Sequence, residues 1–327
     1  MAEASEVELI PWVEKYRPRT LDDVSSQPFV VRTLKKFVQK RSMPHLIFTG
    51  PAGTGKTSAA WALIHDLLGK DFTSDLVLEM NASDSVRMET IREEIKGFTQ
   101  QSGLSSNSQF KFLLLDEADN IPTSSQQALR RIVEMAPSNV RFIFMCNYAN
   151  YLIDPIISRC AVFRFSPLGK DAVIARLKHI AKAENKKIND EIFETLYEIS
   201  NGDMRKAVNL LQMGVSHNPE SELTTDVLYD LSGWVPPNKI QEITTKIREG
   251  KFLEAKDSLN TIVNYSPREF IIQLMKGLEI EQLSFPSRDY IYDILATIDF
   301  RLTTGSDVRL QTEALLSEII QILHSET

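Results

Sequence analysis

The chain holds only two cysteines, Cys146 and Cys160, among 327 residues. Two thiols make neither a disulfide framework nor a cysteine-based metal site. Long hydrophobic runs are also missing: no apolar stretch approaches the roughly 20 residues needed to span a bilayer. The opening "MAEASEVELIPWVEKYRPRT" lacks a basic stretch followed by an apolar one, so it does not read as a signal peptide. These absences predict an intracellular protein. Positive charge is in the minority. A net charge of −7 and a pI near 5.4 argue against a chain coated with basic surface for nucleic acid. A local basic strip stays compatible with that balance, because phosphate attraction depends on where the charges sit. Apolar content of 43% and charge of 25% are ordinary for a globular protein, and the length suffices for two or three domains.

Hydrophobic patterning divides the chain. Five short apolar runs read as buried strands: His45–Gly50, Leu76–Met80, Phe110–Asp116, Val140–Asn147 and Ala161–Phe165. Helical patterns lie between them, at Gly55–Leu68, Arg87–Phe98 and Ser124–Met135, with Ser124 as the expected N-cap. Strands alternating with helices imply a parallel α/β sheet. Beyond Pro167 the strand signal stops, and helical patterns are broken at "AENKKIND", "SNGDMR" and "SHNPES". Two prolines in "SGWVPPNK" suggest a linker, after which the pattern is helical again. The expected division is 1–166 (α/β), 167–231 (small helical) and 232–327 (all-α). The apolar faces of the last helices either meet a neighbouring molecule or form their own core.

The strongest motif is "GPAGTGKT", Gly50 to Thr57, set between a predicted strand and a predicted helix. Glycines let the backbone curl so that its N–H groups face phosphate oxygens, and the helix N-terminus adds partial positive charge. Lys56 is placed to reach the β and γ phosphates, and the Thr57 hydroxyl to ligate Mg²⁺. "LLLDEAD" ends a strand where open α/β sheets place ligands. There Asp116 is expected to hold Mg²⁺, and Glu117 to orient and deprotonate an attacking water. Asn147, closing "FIFMCN", is either a partner for the γ phosphate or attacking water, or a turn asparagine. Arg205 in "GDMRKA" lies near a helix start, where positive charge is unfavourable. It therefore wants an acceptor, either a γ phosphate or a surface carboxylate. Arg159, between Ser158 and Cys160, has no evident partner in sequence. It is either a loop-end charge or a group that reaches outside the chain.

In their order and spacing, "PWVEKYRPRTLDDV", "GPAGTGKTS", "EMNASD", "LLLDEAD", "ALRR", "SRCAVFRF", "NGDMRKA" and "DFRLTTG" resemble the small subunit of replication factor C, a family of sliding-clamp loaders among the AAA+ ATPases. The compact length resembles the archaeal type. The resemblance implies an AAA+ P-loop domain with a five-stranded parallel sheet, a small helical lid domain and an all-α collar domain for oligomerisation. It implies ATP and Mg²⁺ as cofactors, and a pentamer with large and small subunits that opens a PCNA-type clamp and loads it on primer–template DNA during replication. Location would be cytoplasm or nucleoid in an archaeon, nucleus in a eukaryote. Val13, Tyr16, Arg17 and Val24 would border adenine and ribose. Gly50, Pro51, Ala52, Gly53, Thr54, Gly55, Lys56, Thr57 and Ser58 would hold the phosphates, with Asn147 and Arg205 as first and second sensors. Arg159 would act in trans, as an arginine finger in the neighbouring subunit's site. Arg92 and Lys96, one helical turn apart, would contact DNA phosphates or else form a solvated face. The polar stretch "QQSGLSSNSQ" would face the clamp.

Two departures stand out. Ala52 replaces the family's usual second proline, and "NASDSVRMETIR" replaces the usual "NASDERGI" continuation, which puts one DNA or intersubunit contact of Ser85–Met88 in doubt. An architectural subunit that binds ATP but contributes mainly collar packing and the trans arginine is the alternative. A related motor acting on Holliday junctions or proteins is disfavoured by "SRC" and the C-terminal helical domain.

Overall fold

The computed structural model describes residues 10–24, 26–82, 93–98, 110–217, 222–262 and 264–325. The first elements are α1 (Trp12–Lys15), α2 (Pro28–Lys40), β1 (His45–Thr49), α3 (Lys56–Leu68) and β2 (Val77–Asn81). There follow helical residues 93–98, β3 (Lys111–Asp116), α4 (Thr123–Met135), β4 (Val140–Cys146), α5 (Asp154–Ile157), β5 (Cys160–Arg164) and α6 (Lys170–Ala183). The remaining helices are α7 (Asp190–Ser200), α8 (Met204–His217), α9 (Thr225–Ser232), α10 (Pro237–Arg248), α11 (Phe252–Asn260), α12 (Pro267–Gly277), α13 (Phe285–Thr303) and α14 (Val308–Ser325). The chain forms two compact units. One runs to Lys187 and includes Ser200–Leu211; the other comprises Ile188–Ile199 and the chain from Gln212 onward.

The first unit is built on a five-stranded sheet in the order β2-β3-β4-β1-β5, with every pairing parallel. All five predicted strands are present, each with ends shifted by a residue or so. Alternation along the strands sorts side chains to two faces. Leu46, Phe48, Leu114, Ile143 and Met145 face α2 and α3. Ile47, Leu113, Leu115, Phe142 and Phe144 face α4 and residues of 93–98. Burial on both sides explains why the strands read as continuous apolar runs rather than alternating ones.

One expected cap is corrected. The helix predicted to start at Ser124 begins at Thr123, its N-cap position is Pro122, and no side chain caps it. Proline fixes an extended backbone just ahead of the helix, so the turn is set without a hydroxyl. The predicted helix Arg87–Phe98 is seen only over 93–98; its remainder, with Arg92 and Ser85–Met88, lies outside the described residues, as does the polar stretch "QQSGLSSNSQ".

The second unit has its own core. Val235, Ile243, Ile247, Phe270, Leu274, Ile291, Leu315, Leu316 and Ile319 are buried together. The apolar stripe of "LLSEIIQIL" is therefore spent inside this unit, which resolves the open reading of that helix. The two-proline stretch that reads as a linker is bound down: Val235 is fully buried, and Gln273 accepts its N–H at 3.1 Å and donates to its carbonyl at 2.7 Å. Among the described residues no helix is long and apolar enough to cross a membrane.

At the start of β1, His45 uses its ring as part of the ladder. Its Nδ1 accepts the Phe142 N–H at 3.1 Å, and burial, with nearby Arg141, pushes its pKa down to about 4. Below about pH 6.5 the unfolded chain binds a proton that the folded ring refuses, so stability falls as pH drops from about 6.5 to about 4. We expect His45→Asn, which keeps an acceptor for Phe142 but does not titrate, to flatten the dependence of the urea midpoint on pH between 6.5 and 5. An unchanged slope would show that another group sets it.

Candidate nucleotide site

Residues Gly50–Gly55 join β1 to α3 by a loop that only glycine at certain positions permits. Gly53 and Gly55 have φ of 67° and 93°. A Cβ on Gly50 would lie 2.1 Å from the Phe165 carbonyl oxygen, and one on Gly53 would lie 1.7 Å from Asp203 Oδ1. The Gly53 carbonyl also accepts the Met204 N–H at 3.1 Å. The loop is thus clasped to the first turn of α8, where Asp203 accepts the Lys206 N–H at 2.9 Å as a helix cap. Thr54, buried, donates its hydroxyl to the Pro51 carbonyl at 2.8 Å and closes the turn from inside.

Three strand ends meet this loop. Lys56 Nζ donates to the Gly50 carbonyl at 2.6 Å, to the Pro51 carbonyl at 2.9 Å and to Asn147 Oδ1 at 3.2 Å. Burial lowers the lysine's pKa, opposed chiefly by the negative charge of Asp116. Thr57 Oγ1 donates to Asp116 Oδ2 at 3.1 Å. Hydroxyl and carboxylate oxygens so placed suit a hard divalent cation, which typically completes its shell with phosphate and water. Glu117 takes the left-handed conformation, φ 52°, which bends the chain sharply off β3. Its Oε2 accepts from Asn120 at 3.2 Å. Asp119 Oδ2 accepts the N–H groups of Asn147, at 3.0 Å, and Tyr148, so the acidic segment fixes the backbone of the neighbouring strand end.

Around these groups lies a cavity of about 210 Å³. Its walls include Val13, Tyr16, Arg17, Val24, Ala52, Gly53, Gly55, Lys56, Thr57, Ser58, Asp116, Glu117, Asn147 and Arg205, all expected from sequence. Gly50, Pro51 and Thr54 belong to the loop but do not line the cavity. Lys96 and Arg159 lie elsewhere, and Arg92 falls outside the described residues. Arg205 is exposed at the second position of α8 and makes no hydrogen bond or ion pair among the described residues.

Several wall residues were not foreseen. Trp12, Asp23, Ser26, Cys146, Leu168, Arg176, Ile180, Met204 and Val208 also line the cavity. Cys146 is the buried small residue that its sequence context suggests, its thiol pushed up to about 11 by burial. Arg176 of α6 donates to the Tyr16 carbonyl. The Tyr16 hydroxyl donates to Glu184 at 2.5 Å, and Lys15 pairs with the same oxygen at 2.7 Å. Burial pushes the Glu184 carboxyl up, but the hydrogen bonds from Lys15 and Tyr16 outweigh it and hold it below its usual range. The segment around Tyr16 is in this way strapped to α6. Gln126 was likewise missed: 1% exposed, it donates to the Ile121 and Tyr151 carbonyls and accepts the Ile153 N–H, tying the acidic segment to the loop after β4.

Arg159 is not without a partner. Its Nη2 pairs with Glu134 Oε1 at 2.7 Å, an oxygen that also takes Arg130 Nε at 2.8 Å, and its Nη1 donates to the Pro155 carbonyl at 2.7 Å. Sequence distance hid this contact: Glu134 ends α4, while Arg159 follows α5.

A glycine loop leading into a helix that opens on a lysine, with the next threonine facing an aspartate at the end of a parallel sheet strand, defines a P-loop ATPase of the AAA class. The model of the ATPase family associated with various cellular activities (AAA) matches residues 46–168. Models of the RCF1/5-like AAA+ ATPase lid domain and the replication factor C C-terminal domain match 175–213 and 235–318. The replication factor C small subunit of Saccharolobus solfataricus is 40% identical over 97% of this chain and 96% of its own length. That of Aeropyrum pernix is 43% identical over 94% of each. The chain belongs to the replication factor C small-subunit family. Among solved structures, the Thermotoga maritima RuvB Holliday junction branch migration motor superposes with a TM-score of 0.55 at 16% identity, over 79% of this chain and 91% of that one. At that identity the likeness is one of fold alone.

The Gly53 clasp can be tested. Gly53→Ala adds a Cβ at positive φ and drives it into Asp203, so ATP affinity by calorimetry should fall about 5- to 150-fold, from a cost of about 1–3 kcal/mol. Unchanged affinity would mean that the loop binds phosphate without its contact to α8.

Proposed function

We propose that the chain is an ATPase subunit of a clamp loader, which uses ATP binding and hydrolysis to open a PCNA-type ring and load it on primer–template DNA. The observation that carries this reading is the Thr57–Asp116 contact beside Lys56 and Asn147, in a chain of this family. Lys56 and the loop N–H groups would bind the phosphates, and Thr57 and Asp116 would hold Mg²⁺, whose charge would offset that of the phosphates. Glu117 would orient and deprotonate the attacking water, with Asn147 and Arg205 as sensors. Val13, Tyr16, Arg17 and Val24 would border the base and ribose, which their place on the cavity wall supports. Lys96 and Arg92 remain proposed phosphate contacts. The division into nucleotide, lid and collar domains is supported by the spans of the three family models. Partner subunits, clamp and DNA are part of the proposal, as are the pentamer and a location in cytoplasm or nucleoid for an archaeal chain, or in the nucleus for a eukaryotic one.

In this reading Arg159 acts on the site of the adjacent subunit. A head-to-tail contact places one subunit's arginine in the next subunit's pocket, and such a group is worth roughly 10³–10⁵ in rate. Its position outside the chain's own cavity supports that role.

Two substitutions test the assignment. Glu117→Gln should abolish turnover at this subunit's site in the assembled complex while ATP still binds; unchanged turnover and clamp loading would assign hydrolysis to the partner subunits and leave this chain architectural. Arg159→Ala should leave ATP binding by the isolated chain intact and cut hydrolysis at the neighbouring interface about 10³-fold. Equal loss of binding in the isolated chain would overturn the trans role.

A further inference from the structure

Between Asp23 and Asp66 the sequence holds no aspartate or glutamate, although acids outnumber bases in the chain, 44 to 37. Four of the six lysines and arginines of that interval lie on one element. Helix α2 carries Arg32, Lys36 and Lys40 at successive steps of four, which align on one helical face. All three are exposed, and none makes an ion pair among the described residues. Lys35, at the edge of the stripe, is paired with Asp22 and so is spent locally. Val30, Val31 and Leu34 occupy the opposite side and bury against the sheet.

The same outward face carries an aromatic ring. Phe29 lies seven residues before Lys36, two turns along the face, and is 75% exposed. A phenylalanine three-quarters exposed, at the head of a cationic stripe that makes no ion pair among the described residues, combines two features of single-stranded nucleic-acid surfaces. One is a π-face on which any base can stack; the other is a line of cations that follows the phosphates. From Arg32 to Lys40 the stripe extends about 12 Å, enough for two or three nucleotides.

We infer that the outer face of α2 is a docking surface for single-stranded nucleic acid, with Phe29 as the stacking platform and Arg32, Lys36 and Lys40 as phosphate contacts. This surface is distinct from the DNA contacts proposed above. Helix α2 covers the sheet face lined by Leu46 and Phe48, whereas Ile95, beside Lys96, packs on the face lined by Ile47 and Phe142. The contact reads no sequence, since cation–phosphate pairs and stacking are both tolerant of base identity.

The test is fluorescence anisotropy of the full chain with labelled oligothymidine, and with a duplex of equal length, across a salt series. Lys36→Glu/Lys40→Glu should weaken oligothymidine binding at least about tenfold at low salt and reduce the slope of log K against log salt by about 1.4, about 0.7 per lost contact. Phe29→Ala should weaken it about fivefold or more with little change in slope, and should leave duplex binding unchanged. If the double reversal lowers the thermal midpoint, Lys36→Gln/Lys40→Gln reads the same slope without added negative charge. Oligothymidine affinity unaltered in every variant would overturn the inference. So would a surface on which Phe29→Ala has no effect while polyglutamate competes as well as oligothymidine, since it would then serve an acidic protein.

Discussion

The register of the parallel sheet is the constraint from which the site follows. Thr49 pairs with Cys146, and Leu115 with Phe144, so β1, β3 and β4 end at one edge. The residues that leave those ends are the glycine loop, Glu117 and Asn147. A slip of one residue would exchange the two faces of a strand. In β3 it would carry Leu113 and Leu115 to the side of α2 and α3, and turn Asp116 away from Thr57. The apolar cost of such a slip is large, because both faces are buried under helices. The same burial that holds the sheet therefore holds the Thr57–Asp116 contact at 3.1 Å.

What the sheet edge does not supply comes from helices far along the chain. Gly53 meets Asp203 and Met204, Tyr16 is held by Arg176 and Glu184, and Arg205 overlooks the cavity. Lys56 shows how such a site manages charge. Its ammonium is desolvated, yet two main-chain oxygens and Asn147 satisfy its donors, and Asp116 lies close enough to favour the charged form. Without those partners the desolvated ammonium would hold its proton less firmly still.

Much of this could be read from the sequence. Glycines at fixed spacing, an aspartate closing an apolar run and an asparagine closing the next are local signals, and local signals survive in a one-dimensional string. The strands were legible because burial on both faces makes their runs continuous. The misses share a different cause. Arg176 on α6 and Glu184 just past its end lie among ordinary charged residues, and nothing nearby marks the turns that face Tyr16. Gln126 looks like any polar residue of an amphipathic helix until its three main-chain partners are seen. The cap at Ser124 failed because a proline just upstream had already fixed the turn. The cap is a local exception; Arg176, Glu184 and Gln126 depend on contacts across long stretches of chain, which pattern and propensity do not carry.

Arg159 joins these points. Its guanidinium is held by Glu134 and by the Pro155 carbonyl, both on its own subunit. An ion pair this open to solvent is weak, which limits how the arginine can be used. The pair is strong enough to narrow the rotamers of a long side chain and keep it extended near the end of α4. It is too weak to compete with a polyphosphate, which carries more charge and more acceptor oxygens than one carboxylate already shared with Arg130. In the proposed assembly the arginine would leave Glu134 at little cost on meeting a neighbour's nucleotide, and Arg130 would keep the carboxylate paired. An arginine buried in a strong cis pair could not serve that way, and one with no partner would sample many orientations. The contact that sequence could not reveal is thus compatible with the trans role, because it orients the group without committing it.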